Sequence, residues 1–365
     1  MTGHAFPHSP RYWPVADWPY ACTVDRLSIA PFPRRMPWEV QTRNGIHLPQ
    51  IDWWLDATRP AARSFVSHAH FDHMAKHKLS LCTPATARLM HARQYSKKEV
   101  IALPFGEPHE LAPGCTATLH PAGHILGSAQ LLAESEHGRL LYTGDFKLRP
   151  GRSSELCATP RADVLIMETT FGTPAYRMPP TEEVLAALVQ FCREALAARA
   201  VPVLFGYSLG KAQEILASLA DSALPVMLHS EVFRLTRLCE RLGVTFPAYR
   251  EFELKEMAGH VVIAPPQSGK STWLAKITPR KTAMVTGWAV DRSTRYRSGT
   301  DAAFALSDHA DYDDLLSFVD RAQPKRVFTV HGFATEFAAT LRARGIEAWA
   351  LGKENQLEFG LGTAG

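Results

Sequence analysis

The chain is 365 residues long, 46% hydrophobic, 10% aromatic and 21% charged, with a formal net charge of +4. That is the composition of a soluble globular protein with core enough for two compact units. No apolar run approaches the roughly 20 residues a membrane span needs, so no spanning helix and no membrane partner are expected.

In chain order, residues 1–20 carry no basic segment followed by an apolar one, so no secretory leader is expected. Trp13, Trp18, Trp38, Trp53 and Trp54 mix with Arg34, Arg35 and Arg43. They could stack bases, but core packing is the plainer reading. A pattern then recurs: a short apolar run ends in a cluster holding His, Asp or Glu. Phe65-Val66 runs into Ser67-His68, and Leu140 to Tyr142 into Thr143-Gly144-Asp145. Val164 to Met167 runs into Glu168, Phe304 to Leu306 into Ser307-Asp308-His309, and Val327 to Val330 into His331-Gly332. Such runs predict buried strands, and strand ends are where α/β proteins build sites. Helices are predicted over Thr181 to Ala198 with Thr181 as its cap, Leu209 to Leu219, Glu231 to Leu242 and Tyr312 to Arg321.

The strongest signal is Ser67-His68-Ala69-His70-Phe71-Asp72-His73. Three imidazoles and a carboxylate this close are costly unless a divalent cation holds them, and zinc, manganese or iron would suit. Alternation sends His68 and His70 to one side, and Asp72 and His73 can serve a second metal. Six dispersed cysteines without a C-x-x-C pair argue for reduced thiols in a cytoplasm, not a cysteine zinc site.

The stretch from Pro174 to Ala303 carries 16 Lys and Arg against 12 Asp and Glu, while the rest of the chain is neutral. Lys270, Lys276, Arg280, Lys281, Arg292, Arg295 and Arg297 face one acid there, Asp291. Such a patch suits phosphates. With its own strands and helices, this stretch reads as a domain inserted into another. Ser208-Leu-Gly-Lys211, between a strand and a helix, is a candidate phosphate site. Pro266-Gln-Ser268-Gly269-Lys270-Ser271 looks like the end of a P-loop, but Ala264 stands where the first glycine belongs and two prolines stiffen the loop.

The His cluster resembles the signature of the metallo-β-lactamase superfamily. Asp56 in Trp54-Leu55-Asp56, His124 in Pro121-Ala-Gly-His124 and Asp145 in Thr143-Gly-Asp145 match its further motifs in order. Glu168 in Glu168-Thr-Thr-Phe-Gly172, His309 in Ser307-Asp-His309-Ala-Asp311 and His331 in Val330-His331-Gly332 narrow the resemblance to the β-CASP nucleases. The phrases PAGHILGSAQ, ETTFG, GYSLGKAQ, APPQSG, TGWAVDR and SDHADY most resemble bacterial ligase-associated DNA exonucleases. The chain is more remotely similar to Artemis- and Apollo-type repair nucleases, which usually lack a histidine at the position of His331. The RNA-cleaving members have one.

The resemblance implies an α/β fold: a metallo-β-lactamase αββα sandwich with an inserted α/β β-CASP domain. Its parts would be 1–173, 174–303 for the insert, and 304–365. It implies two divalent metal ions, Zn2+ or Mn2+. His68, His70 and His124 would hold the first, Asp72, His73 and His331 the second, and Asp145 would bridge them. Asp56 would hold a ligand histidine by its other nitrogen. His309 would be the general acid and Glu168 its support, acting with a metal-activated hydroxide. Ser208, Lys211, Arg292, Arg295 and Arg297 would contact nucleic acid. The expected activity is a DNA exonuclease of the bacterial cytoplasm, favouring 5′ ends, serving repair beside a DNA ligase and helicase. RNA processing and a non-catalytic nucleic-acid-binding subunit are the alternatives, the latter disfavoured because every expected ligand is present.

Overall fold

The computed structural model describes residues 37–93 and 99–352. Trp13, Trp18, Cys22, Arg34 and Arg35 lie outside the described residues. Among the described residues, the strands form three sheets. The first runs in chain order: β1 (Gln41–Thr42), β2 (Ile46–Leu48), β3 (Trp53–Leu55), β4 (Arg63–Phe65), β5 (Leu79–Cys82) and β6 (Glu99–Ala102). The second begins with β7 (Pro108–Ala112), β8 (Cys115–Pro121), β9 (Ala129–Ser135), β10 (Gly138–Tyr142) and β11 (Val164–Glu168). The third holds β12 (Val201–Phe205), β13 (Val226–Leu228), β14 (Tyr249–Glu251), β15 (Val261–Ala264), β16 (Arg280–Val285) and β17 (Ala302–Phe304). β18 (Arg326–Val330) and β19 (Glu347–Ala350) return to the second sheet, whose order is β19-β18-β11-β10-β9-β8-β7.

In the first two sheets the outer strand β8 alternates, while the central strands β9, β10 and β11 are buried on both faces. In β8, Cys115, Ala117 and Leu119 point inward while Thr116, Thr118 and His120 stay partly exposed. Leu55, Phe65 and Leu81 of the first sheet pack against Leu119, Leu131, Leu140 and Ile166 of the second. The second sheet's other face, with Leu141, Leu165 and Val327, is covered by Phe318, Phe337 and Leu341 from helices Tyr312–Ala322 and Ala334–Ala343. Behind the first sheet, Val66 packs with Leu89 and Met90 of the helix Pro84–Ala92. The result is the αββα sandwich of the metallo-β-lactamase fold. Trp38 and Trp53 sit in its core at 1% and 3% exposure, so base stacking is closed to them. Trp54 stacks on His47 and donates to the Arg43 carbonyl instead.

The third sheet is all parallel, in the order β14-β13-β15-β12-β16-β17. Both its faces are covered, which is why β12 and β15 are apolar without alternation. Its strands span residues 201–304.

Three local expectations need correction. Thr181 is the first residue of its helix, with Pro180 at the cap and no side-chain cap bond. The helix expected from Leu209 begins at Lys211, because Gly210 takes φ 88. The strand expected over Phe304 to Leu306 runs over Ala302–Phe304, set by its pairing with β16.

Candidate metal centre and cleft

Strands that end on the same side of the sandwich aim the loops after them at one crevice. Asp56 follows β3, the His68–His73 turn follows β4, His124 follows β8, Asp145 follows β10, Glu168 closes β11 and His331 follows β18. The sharp turns need unusual backbone. His331 and Gly332 take φ 61 and 56 in succession, and a Cβ on Gly332 would meet Thr170 Cα at 2.5 Å.

The hydrogen bonds decide where the imidazole protons sit. Ser67 Oγ donates to Asp56 Oδ2 at 2.6 Å, so it accepts from His68 Nδ1 at 2.9 Å. His70 Nε2 donates to the Leu209 carbonyl at 3.1 Å, and His124 Nδ1 to the Asp308 carbonyl at 2.8 Å. Each ring therefore keeps its proton on the outer nitrogen. The inner nitrogens are lone pairs. His68 Nε2 and His124 Nε2 lie 3.0 and 3.2 Å from His70 Nδ1. Asp145 Oδ2 stands 3.6 and 3.9 Å from the same two nitrogens of His68 and His124. Lone pairs this close repel unless a cation lies among them. Burial, helped by His73 and His70, holds the His68 pKa well below the usual histidine value. Burial and His309 push His124 down to about 3. Neutral rings are what a metal requires.

Beside this set, His73 Nδ1 donates to Asp56 Oδ2 at 2.8 Å. That turns its Nε2 toward Asp145 Oδ2 at 3.3 Å and Asp72 Oδ2 at 3.7 Å. Burial opposes charge on His73, but Asp145 and Asp56 outweigh it and raise its pKa well above the usual value. The surroundings therefore favour positive charge at that point too. The His331 ring lies 5.8 Å from His73, and Asp72 is 81% exposed. This second group is more open than the first, whose four ligand atoms all lie within 4.8 Å of one another. The donor set fits divalent cations.

His309 stands next to the imidazoles, its ring 4.7 Å from that of His124. Its Nδ1 meets Glu168 Oε1 at 2.8 Å. Burial disfavours charge on His309, but Glu168 and Asp145 overcome it and raise the pKa to about 10. The centre opens into a cleft of about 630 Å³. Its far wall comes from the carboxyl ends of β12, β15 and β16, through Tyr207, Ser208, Gln267 and Trp288.

The comparisons agree with this architecture. A family model described as "Zn-dependent metallo-hydrolase RNA specificity domain" matches residues 302–351. The chain is 59% identical over 327 residues to a protein named "Probable DNA ligase" from Opitutus terrae, covering 89% of this chain and 32% of that one. It is 29% identical to "5' exonuclease Apollo" of Rattus norvegicus, covering 79% of this chain and 55% of that one. These likenesses and the fold are consistent with a β-CASP metallo-β-lactamase protein. The chain spans about a third and about half of the length of those two relatives. It is also 28% identical over 53% of its length to "Transcription termination factor FttA" of Thermococcus kodakarensis, covering 36% of that protein. A solved structure of a protein of unknown function from Enterococcus faecalis V583 shares the fold, with a TM-score of 0.52, 15% identity, and coverage of 74% of this chain and 75% of that one.

Not every residue expected to touch nucleic acid reaches the cleft. Ser208 does. Lys211 does not: it is 2% exposed, and its ammonium is committed to Asp308 Oδ1 at 3.1 Å and the Leu306 carbonyl at 2.7 Å. A lysine so held has no face for a phosphate, and it instead ties down the loop carrying Asp308 and His309. Arg292, Arg295 and Arg297 are exposed but do not line the cleft. Arg297 pairs with Asp291 at 2.8 Å, and Arg295 stacks on Tyr296. The Lys270 side chain lies outside the described residues.

Sequence reasoning passed over Phe71, Arg93, Tyr207 and Trp288. Phe71, Tyr207 and Trp288 are 65%, 58% and 39% exposed in the cleft, and Arg93 covers the Phe71 ring at 3.8 Å. Phe71 was visible inside the His motif. Exposure of an aromatic is the informative sign, and it comes only with tertiary structure.

Proposed function

We propose that this chain is a metal-dependent phosphodiesterase that degrades DNA from its ends, favouring 5′ ends, in repair. The observation that carries the reading is the convergence of three imidazole lone pairs and Asp145 beside a carboxylate-held His309. His68, His70, His124 and Asp145 hold one divalent cation; Asp72, His73, His331 and Asp145 hold a second, with zinc and manganese the fitting metals. When bound, such a pair activates water and neutralises the attacked phosphodiester. His309 keeps a proton for the leaving oxygen, and Glu168 holds the ring in place and supports its charge. Residues 174–303 act as the β-CASP domain, which closes the nucleic acid against the metal centre. The exposed aromatics Phe71, Tyr207 and Trp288 offer stacking faces for bases.

DNA is favoured by the Apollo relative and by the long match to part of a probable DNA ligase. That second name also supports work alongside ligase chemistry. RNA is the second reading, favoured by His331, by the RNA specificity description of residues 302–351 and by the FttA likeness. Digestion of matched DNA and RNA oligonucleotides, labelled at 5′ or 3′ ends, single- and double-stranded, with Mn2+, Mg2+ or Zn2+, separates them. Release of labelled mononucleotide from 5′-labelled DNA supports the first reading. Cleavage of RNA alone replaces it with the second.

A further inference from the structure

A second, basic groove of about 410 Å³ lies between the helices Pro84–Ala92 and Ser230–Arg241. Arg88, His91, Arg234 and Arg241 line it, and all four are exposed. The floor is apolar. Leu89 and Met90 of one helix pack with Leu235, Leu238 and Cys239 of the other, so the cationic heads stand along the rims while the helix bodies hold together.

The groove meets the catalytic cleft on both helices. Ala92 lines the groove, and the next residue, Arg93, lines the cleft. Glu231 lines the cleft, and its partner Arg234 lines the groove, 2.8 Å from it. Arg234 Nη1 also donates to the Ala92 carbonyl at 3.0 Å, which joins the helices at that junction. From there the second helix runs outward for seven residues to Arg241, about 10 Å at 1.5 Å per residue.

The charges are not equally available. Arg234 is held by Glu231, and Arg237, on the same helix, by Glu240 at 2.7 Å. Arg88 and Arg241 have no acidic partner among the described residues. Two unpaired guanidiniums on facing helices suit a chain of phosphates leaving the cleft.

We infer that this groove carries the nucleic-acid backbone beyond the scissile phosphate, with Arg88 and Arg241 as its principal phosphate ligands. The inference rests on the phosphodiesterase reading and adds a path to it. It assigns the backbone to this groove and not to the Arg292–Arg297 surface.

The test compares Arg88→Glu/Arg241→Glu with Arg292→Gln/Arg295→Gln/Arg297→Gln. Binding of a fluorescent single-stranded 20-mer is followed by anisotropy across salt concentrations. Hydrolysis of the 20-mer and of bis(p-nitrophenyl) phosphate is measured in parallel. The groove variant is expected to weaken 20-mer binding at low salt at least tenfold. Its log–log salt slope should flatten by roughly 1.4, at about 0.7 for each phosphate that is no longer neutralised. Hydrolysis of bis(p-nitrophenyl) phosphate should be unchanged, which also shows that the variant folds. Arg88→Lys/Arg241→Lys should keep the slope. An unchanged slope in the groove variant, a slope that falls in the triple variant instead, or equal losses on both substrates each overturns the proposal. If wild-type protein binds the 20-mer with the expected groove dependence yet cleaves no nucleic acid, the phosphodiesterase reading fails and the groove stands.

Discussion

Glu168 Oε1 lies 2.8 Å from His309 Nδ1, and the backbone amides of Phe146 and Thr170 hold the same carboxylate at 3.1 and 3.0 Å. Glu168 is 0% exposed, so its position is fixed by the β11 end and not by solvent. With Nδ1 occupied, the other ring nitrogen is the one free for chemistry.

His309→Ala should keep metal content while lowering turnover on DNA by roughly 10²–10⁴-fold. A nitrophenyl phosphodiester has a good leaving group and needs little protonation, so the loss there should be far smaller. Glu168→Gln should follow the same pattern more weakly. Equal losses on both substrates, with metal retained, would mean that His309 positions phosphate and donates no proton.

Asp56 accepts from Ser67 N at 2.7 Å, Ser67 Oγ at 2.6 Å, His73 Nδ1 at 2.8 Å and Tyr142 Oη at 2.8 Å. It orients His73 directly and His68 through Ser67. Asp56→Ala should weaken metal affinity by roughly 10–100-fold. Calorimetric titration with Mn2+ or Zn2+ measures this, and unchanged affinity would reduce Asp56 to a packing role.

Wild-type protein should reconstitute with two divalent ions per chain, and His331→Ala should lower the second occupancy first, because that group is the more open. Elemental analysis after gel filtration checks it. A ratio that never exceeds one, unaffected by His331→Ala, removes the second metal.

Trp288 packs against Phe171 and Tyr176, with ring centroids 4.8 and 5.3 Å away, and Phe171 touches His309 at 6.1 Å. Base stacking is worth about 1–3 kcal/mol. Trp288→Ala should therefore raise KM for an oligonucleotide by roughly 5- to 150-fold, with little change on bis(p-nitrophenyl) phosphate. A fall in turnover on both substrates would instead show that Trp288 supports His309 through Phe171.

Glu214 is buried, bonded to Lys147 Nζ at 3.0 Å, Arg152 N at 2.8 Å and Ser153 Oγ at 3.1 Å. Burial raises its pKa, but Lys147 and the Arg152 amide outweigh that, and the carboxyl sits below its ordinary 4.5. A folded-state pKa held below the unfolded one contributes stability above about pH 4.5, lost as pH falls through the folded value. Glu214→Gln should flatten stability against pH in that acid window. Glu214→Ala should cost roughly 3–5 kcal/mol at neutral pH, since Lys147 is left buried and unpaired. Urea melts from pH 3 to 7 test both, and parallel wild-type and Gln curves would refute the linkage.

The clustered histidines proposed as metal ligands stand out in the sequence because their spacing is local: six residues in one turn, His68 to His73, carry most of the proposed donors. Four sandwich strands, at Phe65, Leu140 to Tyr142, Val164 to Met167 and Val327 to Val330, were legible for the same reason, since apolar runs are short-range signals. The tertiary structure decided what each polar group is free to do. Lys211 looked like a phosphate ligand on a helix start, yet Asp308, nearly a hundred residues on, takes its charge. Arg292, Arg295 and Arg297 looked like the nucleic-acid surface, while Arg88 and Arg241, far apart in sequence, face one groove because Leu89 and Leu235 pack their helices together. The imidazole tautomers also depend on distant carbonyls, Leu209 and Asp308. Composition and periodicity report on neighbours along the chain. Availability of a charge or a lone pair depends on partners that only folding brings within about 3 Å.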